Sequence, residues 1–540
     1  MASLERKLIK AELLQRREEG CDVSEISSRI DAAIMGEIDE AGISSLYDEL
    51  MALPIDPAFP FVEPSTLDEI QAERPDARRK LDMSWDEETL YDKTYGAWLG
   101  RAAGCALGKP VEGWPKKRID KFLTDANALP LDNYLPFVEK ILPGIHRPST
   151  RDNIQFMDRD DDLDFPILGL LALEKKGARM TSRTIAQTWL GRMPYGLVYT
   201  AENAAYRNFV QSIWPPQSAE YRNPFREWIG AQIRADIFGY AAPGWPEKAA
   251  ELAFKDAAVS HTKNGIYGEM FVAAMIAAAY VCDDVEDIIA AGLGEIPENC
   301  RLAKAVRDTQ AWCRAEDDWE AVWEKIFADY GNYHGVHTIN NAALVVMGLY
   351  FGIDDFERGI VCTVRAGWDT DCTGATVGSI LGVKFGAQAL PEKWVGVLND
   401  RLLSAVREEN DNKISELAAR TVAVAKNIAT ASEQDEKPNA TLAGTAGGVW
   451  KMETGWGEQL LDFSKGTVEF INSERGSDEF GPYKITESSY SHPELKFSYC
   501  IDKGSWDLEI DFEGTVDEDR LEGVYYPYEA PARGRRLAKE

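Results

Sequence analysis

Asp369-Thr370-Asp371-Cys372 sets two carboxylates two positions apart at the start of a segment that carries Gly374, Gly378, Gly382 and Gly386. Clustered carboxylate oxygens are the donors that hard divalent cations take. A second cluster, Asp158, Asp160, Asp161, Asp162 and Asp164, puts five carboxylates into seven residues ahead of the apolar run Pro166 to Leu173. Acidic residues at a helix start also complement the positive end of the dipole and cap free N–H groups, so each cluster alone has a purely structural reading. Five in seven residues goes beyond capping, because mutual repulsion raises carboxylate pKa values unless a cation neutralises them. Together the two clusters predict a metal cage assembled from distant stretches of chain.

The elements that would position such a cage are marked by glycine. Interior glycine costs a helix about 1 kcal/mol relative to alanine, so a glycine at every fourth residue needs a return, and close backbone packing supplies one. Gly96, Gly100, Gly104 and Gly108 repeat the pattern and run into Lys109-Pro110-Val111-Glu112. Two thin-faced helices are therefore expected, each delivering carboxylates to one end.

Around them the chain reads as mainly α. Leu4, Leu8, Leu13 and Leu14 among charged residues predict an amphipathic helix to about Gly20, and a second spans Val23 to Ile34. Pro54 to Pro64 then breaks helicity, and Pro75 to Trp85 reads as a linker, so residues 1–85 form an N-terminal helical extension. Residues 86–430 carry helical periodicity, with Ala-rich runs at Phe271 to Tyr280 and Asn341 to Tyr350. After the polar stretch Ala431 to Asn439 the period changes to two. Lys496 to Cys500, Trp506 to Phe512 and Leu521 to Tyr526 alternate, so residues 440–540 are expected to form an antiparallel β sandwich or barrel. Trp450, Trp456, Trp506, Tyr525 and Tyr526 are assigned to its core in preference to a binding face. Arg533 to Arg536 reads as a solvated tail.

With 540 residues the chain is long enough for several units, and no stretch approaches twenty uninterrupted apolar residues, which argues against a membrane span. The charged start lacks an apolar signal core, and a cytoplasmic location is expected. Eight scattered cysteines argue against a disulfide framework and against a thiolate zinc site. A net charge of −31 disfavours nucleic acid and anionic lipid as partners. His334 and His337 have the look of a zinc pair but lack further soft ligands nearby, and Asn340-Asn341 is read as a helix cap.

Gly100–Gly108 with Glu112, then Asp160–Asp162, His261 within Ser260–Gly265, and Gly367–Gly378 follow one another in an order that resembles the ADP-ribosylglycohydrolase family, which includes the dinitrogenase reductase-activating glycohydrolases. The likeness covers about 90 to 400. It implies a large orthogonal all-α domain holding Mg²⁺ or Mn²⁺, two ions in the family, beneath a bound ribose. By resemblance Asp160, Asp161, Asp369, Asp371 and Cys372 fall at metal-binding positions, while Glu112, Asp161 and Asp162 are the catalytic candidates. Asn203, Arg207, His261 and Trp368 fall on the substrate side. Two departures stand out: Asp160-Asp161-Asp162-Leu163 where the family commonly has Thr-Asp-Asp-Thr, and Cys372 where it commonly has threonine. The implied activity is release of ADP-ribose from an ADP-ribosylated protein or small molecule. A ribosidase acting on a nucleoside or small ribosyl metabolite, or a noncatalytic ADP-ribose binder, is the alternative.

Overall fold

The computed structural model describes residues 4–36, 38–83, 86–141 and 144–435, together with 448–454, 457–464, 468–473, 484–491, 493–502, 507–517, 520–526 and 530–536. The chain divides into two compact units, residues 1–211 with 215–427, and residues 428–540 with 212–214.

At the centre of the first unit, the helices Glu87–Gly108 and Thr370–Phe385 cross antiparallel along their glycine faces. Gly96 faces Gly382, Gly100 faces Gly378, Gly104 faces Gly374, and Gly108 faces Thr370. A Cβ added at Gly96 would lie 2.5 Å from the Gly382 carbonyl, and one at Gly104 would overlap the Gly374 carbonyl outright. Backbone meets backbone, and Thr370 Oγ1 closes the pair by donating to the Gly108 carbonyl at 2.8 Å. Gly104→Ala must therefore push two main chains apart, since no flexible side chain is there to yield. We expect a loss of about 1–3 kcal/mol or more, read by urea unfolding, and a neutral substitution would contradict this packing.

The N-terminal helices Leu4–Glu18, Ser24–Ile34 and Glu40–Met51 share a core of Ile9, Leu13, Ile26, Ile30, Ile43, Leu46 and Leu50. The third of them had no sequence reading. The charged face of the first helix is not solvated: it is buried against the large helical region. Arg226, fully enclosed, donates to Glu19 at 2.8 Å and to Glu12 at 2.7 Å, while Gln15 donates to Glu227 at 2.7 Å. Arg301 then bridges Glu227 at 2.7 Å and Glu63 at 2.6 Å. Glu18 lies beside this network, with His337 Nε2 at 3.7 Å.

Burial and the nearby Glu227 charge push the Glu18 carboxyl up to about 7. A carboxyl with a raised folded-state pKa contributes stability below its ordinary value near 4.5, and loses it as pH climbs toward 7. Glu18→Gln should consequently stabilise the protein at pH 8 by about 1–3 kcal/mol and have no effect below about pH 4.5. Thermal unfolding at the two pH values checks this, and an equal effect at both would refute it.

In the second unit the period-two pattern appears as strands. A hairpin in the helical unit supplies β1 (Arg401–Leu403) and β2 (Asp411–Lys413). The second unit then adds β3 (Val449–Thr454), β4 (Gly457–Asp462), β5 (Glu469–Ser473), β6 (Lys484–Ser491), β7 (Glu494–Asp502), β8 (Asp507–Asp517), β9 (Arg520–Tyr526) and β10 (Ala530–Arg536). They form one antiparallel sheet in the order β5-β4-β3-β10-β9-β8-β7-β6. This is a meander whose first and last strands pair, the connectivity of an up-and-down barrel. Its core holds Trp450, Phe497, Phe512 and Tyr525, whereas Tyr526 is exposed. Trp456 and Trp506 lie outside the described residues.

Two sequence expectations change. Arg533 to Arg536 is no free tail: it belongs to β10, paired with β3 and β9. Ala431 to Asp435 continues the helix Ile414–Asp435 and is not linker, while 436–439 lie outside the described residues.

Candidate active site

Glu112 follows the glycine-faced helix by a single tight turn, Lys109–Val111. A short backbone pairing then fixes it. Gly113 N–H donates to the Trp368 carbonyl at 2.8 Å, and Trp368 N–H to the Trp114 carbonyl at 3.1 Å. Gly367 must be glycine here, because its φ is +87° and a Cβ would stand 2.6 Å from the Trp114 carbonyl. Trp368 itself adopts φ +63°, a region disfavoured for a bulky side chain and typical of strain held at functional sites. That turn carries the chain into Asp369, whose N–H donates to Asn341 Oδ1 at 3.3 Å. Asn341 in turn donates to the carbonyls of Gly335, 2.9 Å, and His337, 2.8 Å.

Asp369 occupies the cap position of its helix, yet its side chain accepts no capping bond. It is not spent on the helix. Asp371 sits in the first helical turn and accepts the Cys372 N–H at 3.0 Å.

The acidic triplet enters from another direction. Met157 pairs with the β1 strand through two backbone bonds of 2.9 Å, and Ala405 N–H donates to Asp164 at 2.8 Å. Asp160 caps the helix Asp161–Lys176 by accepting the Asp162 N–H at 3.1 Å. Within that helix Pro166 has no N–H, so the Asp162 carbonyl one turn earlier lacks its usual partner. Arg101 fills the gap, donating from Nε at 2.8 Å and Nη2 at 2.6 Å to that carbonyl, while also reaching Asp162 Oδ1 at 3.1 Å and Asp236 at 2.6 Å. A buried arginine thus locks the triplet against the glycine-faced helix.

The result is a cluster from three stretches of chain. Glu112, Asp369 and Asp371 form one set whose ligand atoms all lie within 4.8 Å of one another; Asp162, Asp371 and Cys372 form a second; Cys105, Asp160 and Asp162 form a third. Asp161 belongs to none of these sets. Asp158 and Asp164 turn elsewhere, toward His146 at 3.2 Å and Arg159 at 2.7 Å.

The electrostatics are those of a site short of positive charge. Burial would raise the Asp160 carboxyl, but the Lys109 ammonium at 2.8 Å holds it below its ordinary value. Burial, compounded by Asp369 and Glu112, pushes Asp371 well up. Burial brings Asp369 to about 6. Glu112 is exposed as a residue, but its carboxyl end turns inward, where burial and the Asp369 charge lift it to about 7. No lysine or arginine forms an ion pair with Glu112, Asp161, Asp369 or Asp371 among the described residues. Carboxylate-rich, self-repelling donors of this kind fit divalent cations.

A sequence model of the ADP-ribosylglycohydrolase family matches residues 86–432. The chain belongs to this family. An ADP-ribosyl-[dinitrogen reductase] glycohydrolase of Rhodospirillum rubrum is 32% identical over 66 residues, 12% of this chain and 22% of that protein. An uncharacterized protein of Archaeoglobus fulgidus is 30% identical over 211 residues, 37% of this chain and 61% of its own length. The alignments thus cover less than two thirds of either relative. A solved chain titled ADP-ribosylglycohydrolase-related protein complex shows 19% identity and a TM-score of 0.41, spanning 63% of this chain and 99% of its own.

The substrate-side residues are more scattered. Trp368 is half-buried, 6.2 Å from Phe327 between ring centroids. Asn203 accepts from the Tyr195 hydroxyl at 3.1 Å, and Arg207 donates to the Arg222 carbonyl at 3.3 Å; both are half-buried on the helix Thr200–Val210. His261 is fully enclosed, its Nδ1 2.8 Å from Ser260 Oγ. His334 lies flat on Trp228 with centroids 4.2 Å apart, and His337 caps the helix Thr338–Gly352, so the expected cap at Asn340-Asn341 is corrected to His337. Arg101, Lys109, Cys105 and Asn341 had no sequence assignment at the site. Arg101 and Cys105 stand inside the Gly100–Gly108 motif that marked the family and Lys109 directly follows it, which was the available signal.

Proposed function

We propose that this chain is a metal-dependent hydrolase that cleaves the glycosidic bond at the ribose of an ADP-ribosylated protein or small molecule and releases ADP-ribose. The meeting of Glu112, Asp369 and Asp371 within 4.8 Å at the end of the glycine-faced helix pair, in a chain of this family, carries the reading. Asp160, Asp369 and Asp371 would hold Mg²⁺ or Mn²⁺, two ions by the family's pattern, with Asp162, Cys372 and Asp161 contributing at the edge. Bound there, such ions would supply positive charge for vicinal ribose hydroxyls and acidify a water.

The chain's own residues do the rest. Glu112 stands at the mouth, in reach of solvent, with its carboxyl aimed into the cage, the position of a group that orients or deprotonates the attacking water. The remaining carboxylates oppose the positive charge that develops at the anomeric carbon of an oxocarbenium-like state. Trp368, half-buried on a strained backbone next to Asp369, is the candidate to offer a flat face to a ribose or base. Asn203 and Arg207 remain candidates for the pyrophosphate, and His261, fully enclosed, is a substrate-side candidate by resemblance alone. A chain of −31 net charge with cysteines free of disulfides among its described residues fits a cytoplasmic enzyme that does not bind nucleic acid. No helix among the described residues is long and apolar enough to cross a membrane.

Arginine-, serine- and O-acetyl-linked ADP-ribose, each incubated with the protein and Mg²⁺ or Mn²⁺, test the reading. Free ADP-ribose should form from at least one and stop on chelation. Tight binding of ADP-ribose with no release from any substrate would favour the binder instead.

A further inference from the structure

We infer that the inner end of this cage, between Cys105 and Cys372, selects a thiophilic divalent ion such as Zn²⁺, Cd²⁺ or Co²⁺ over Mg²⁺. This rests on the reading of the carboxylates as an ion cage and adds which ion its inner end prefers. The cysteines are scattered along the sequence, but two of them come from the two glycine-faced helices to the same place. Cys105 shares one set of neighbouring ligand atoms with Asp160 and Asp162, and Cys372 shares another with Asp162 and Asp371. Asp162 is common to both, so the sulfurs flank one carboxylate.

That carboxylate is rigid. Arg101 binds its Oδ1 at 3.1 Å and the carbonyl of the same residue twice, which leaves Oδ2 as a donor on a fixed arm. Buried cysteine is ordinarily a small apolar filler. Here Cys105 is 0% and Cys372 8% exposed, and each shares its set of ligand atoms with two carboxylates. Lys109 pairs with Asp160 and Arg101 with Asp162, but Asp369 and Asp371, each 4% exposed, pair with no lysine or arginine among the described residues, so the Cys372 side of the cluster holds a buried carboxylate without a cation. Mg²⁺ demands oxygen ligands in near-octahedral array and keeps its waters, whereas a mixed sulfur and carboxylate set suits zinc-like ions. Ligation by sulfur releases the thiol proton to solvent.

The full-length protein, stripped of ions by chelator and titrated with Co²⁺ alone, should develop near-ultraviolet sulfur-to-cobalt charge-transfer absorption. The double variant Cys105→Ser with Cys372→Ser should lack that absorption and lose about tenfold or more in Cd²⁺ affinity by equilibrium dialysis, with Mg²⁺ affinity changed less than about threefold. Cys282→Ser, half-buried elsewhere on the chain, should behave as wild type. Cadmium NMR of the unsubstituted protein reads sulfur ligation without any variant. Co²⁺ or Cd²⁺ bound with no sulfur signature, or a signature that survives the double substitution, overturns the proposal while leaving the carboxylate cage intact. Failure of Co²⁺, Cd²⁺ and Mg²⁺ alike to bind overturns both.

Discussion

Asp369→Ala and Asp371→Ala each lose ion binding and turnover together. Either change removes a carboxylate from the set formed with Glu112, and Asp371 also links that set to Asp162 and Cys372. Ion affinity by calorimetry should fall more than about 100-fold, beyond the loss seen when only supporting residues are changed. ADP-ribose release should fall at least about 1,000-fold, roughly 4 kcal/mol of barrier. Stability moves the other way. In chelator the native cage holds carboxylates that repel one another, so Asp371→Ala should raise the ion-free unfolding free energy by about 1–2 kcal/mol. Retained turnover in the Asp369→Ala, Asp371→Ala double variant would sink the cage reading, and a destabilised ion-free variant would show that the carboxylates are structural.

Glu112→Gln separates chemistry from ion binding. The amide keeps the size and the position set by the Gly113–Trp368 pairing but cannot take a proton. We expect kcat to drop about 10²–10⁴-fold with KM nearly unchanged, and ion affinity to stay within about tenfold of wild type. Measured on the linkage that the unmodified protein cleaves best, a variant retaining more than a third of kcat would remove Glu112 from its proposed role. A variant that loses ion binding as completely as Asp371→Ala would make Glu112 a ligand first.

The outline of the fold was legible because its signals are local. Period-four glycine announces close helix packing wherever it stands, and the change to period two after the long helix announces strands. The acidic runs were equally plain. Other features are set by partners far away in sequence. Whether an acid at a helix start serves the helix or a cage depends on what it faces: Asp160 caps its helix, whereas Asp369, in the same local setting, does not. That the charged face of the first helix is buried could not be read locally, because its partner, Arg226, lies more than two hundred residues away. His337 rather than the Asn pair caps the Thr338 helix, which frees Asn341 to hold Asp369.

By itself, then, the order of residues determined a helical family fold, a terminal β unit and which carboxylates could meet, since composition and period need only neighbours along the chain. Only the tertiary structure decided what stands among those carboxylates. Arg101 enters because Pro166 leaves a carbonyl without its helical donor, Lys109 reaches back to Asp160, and two cysteines arrive because glycine lets their helices touch. Each is a contact across distant sequence, and such contacts exist only once the backbones have closed on each other.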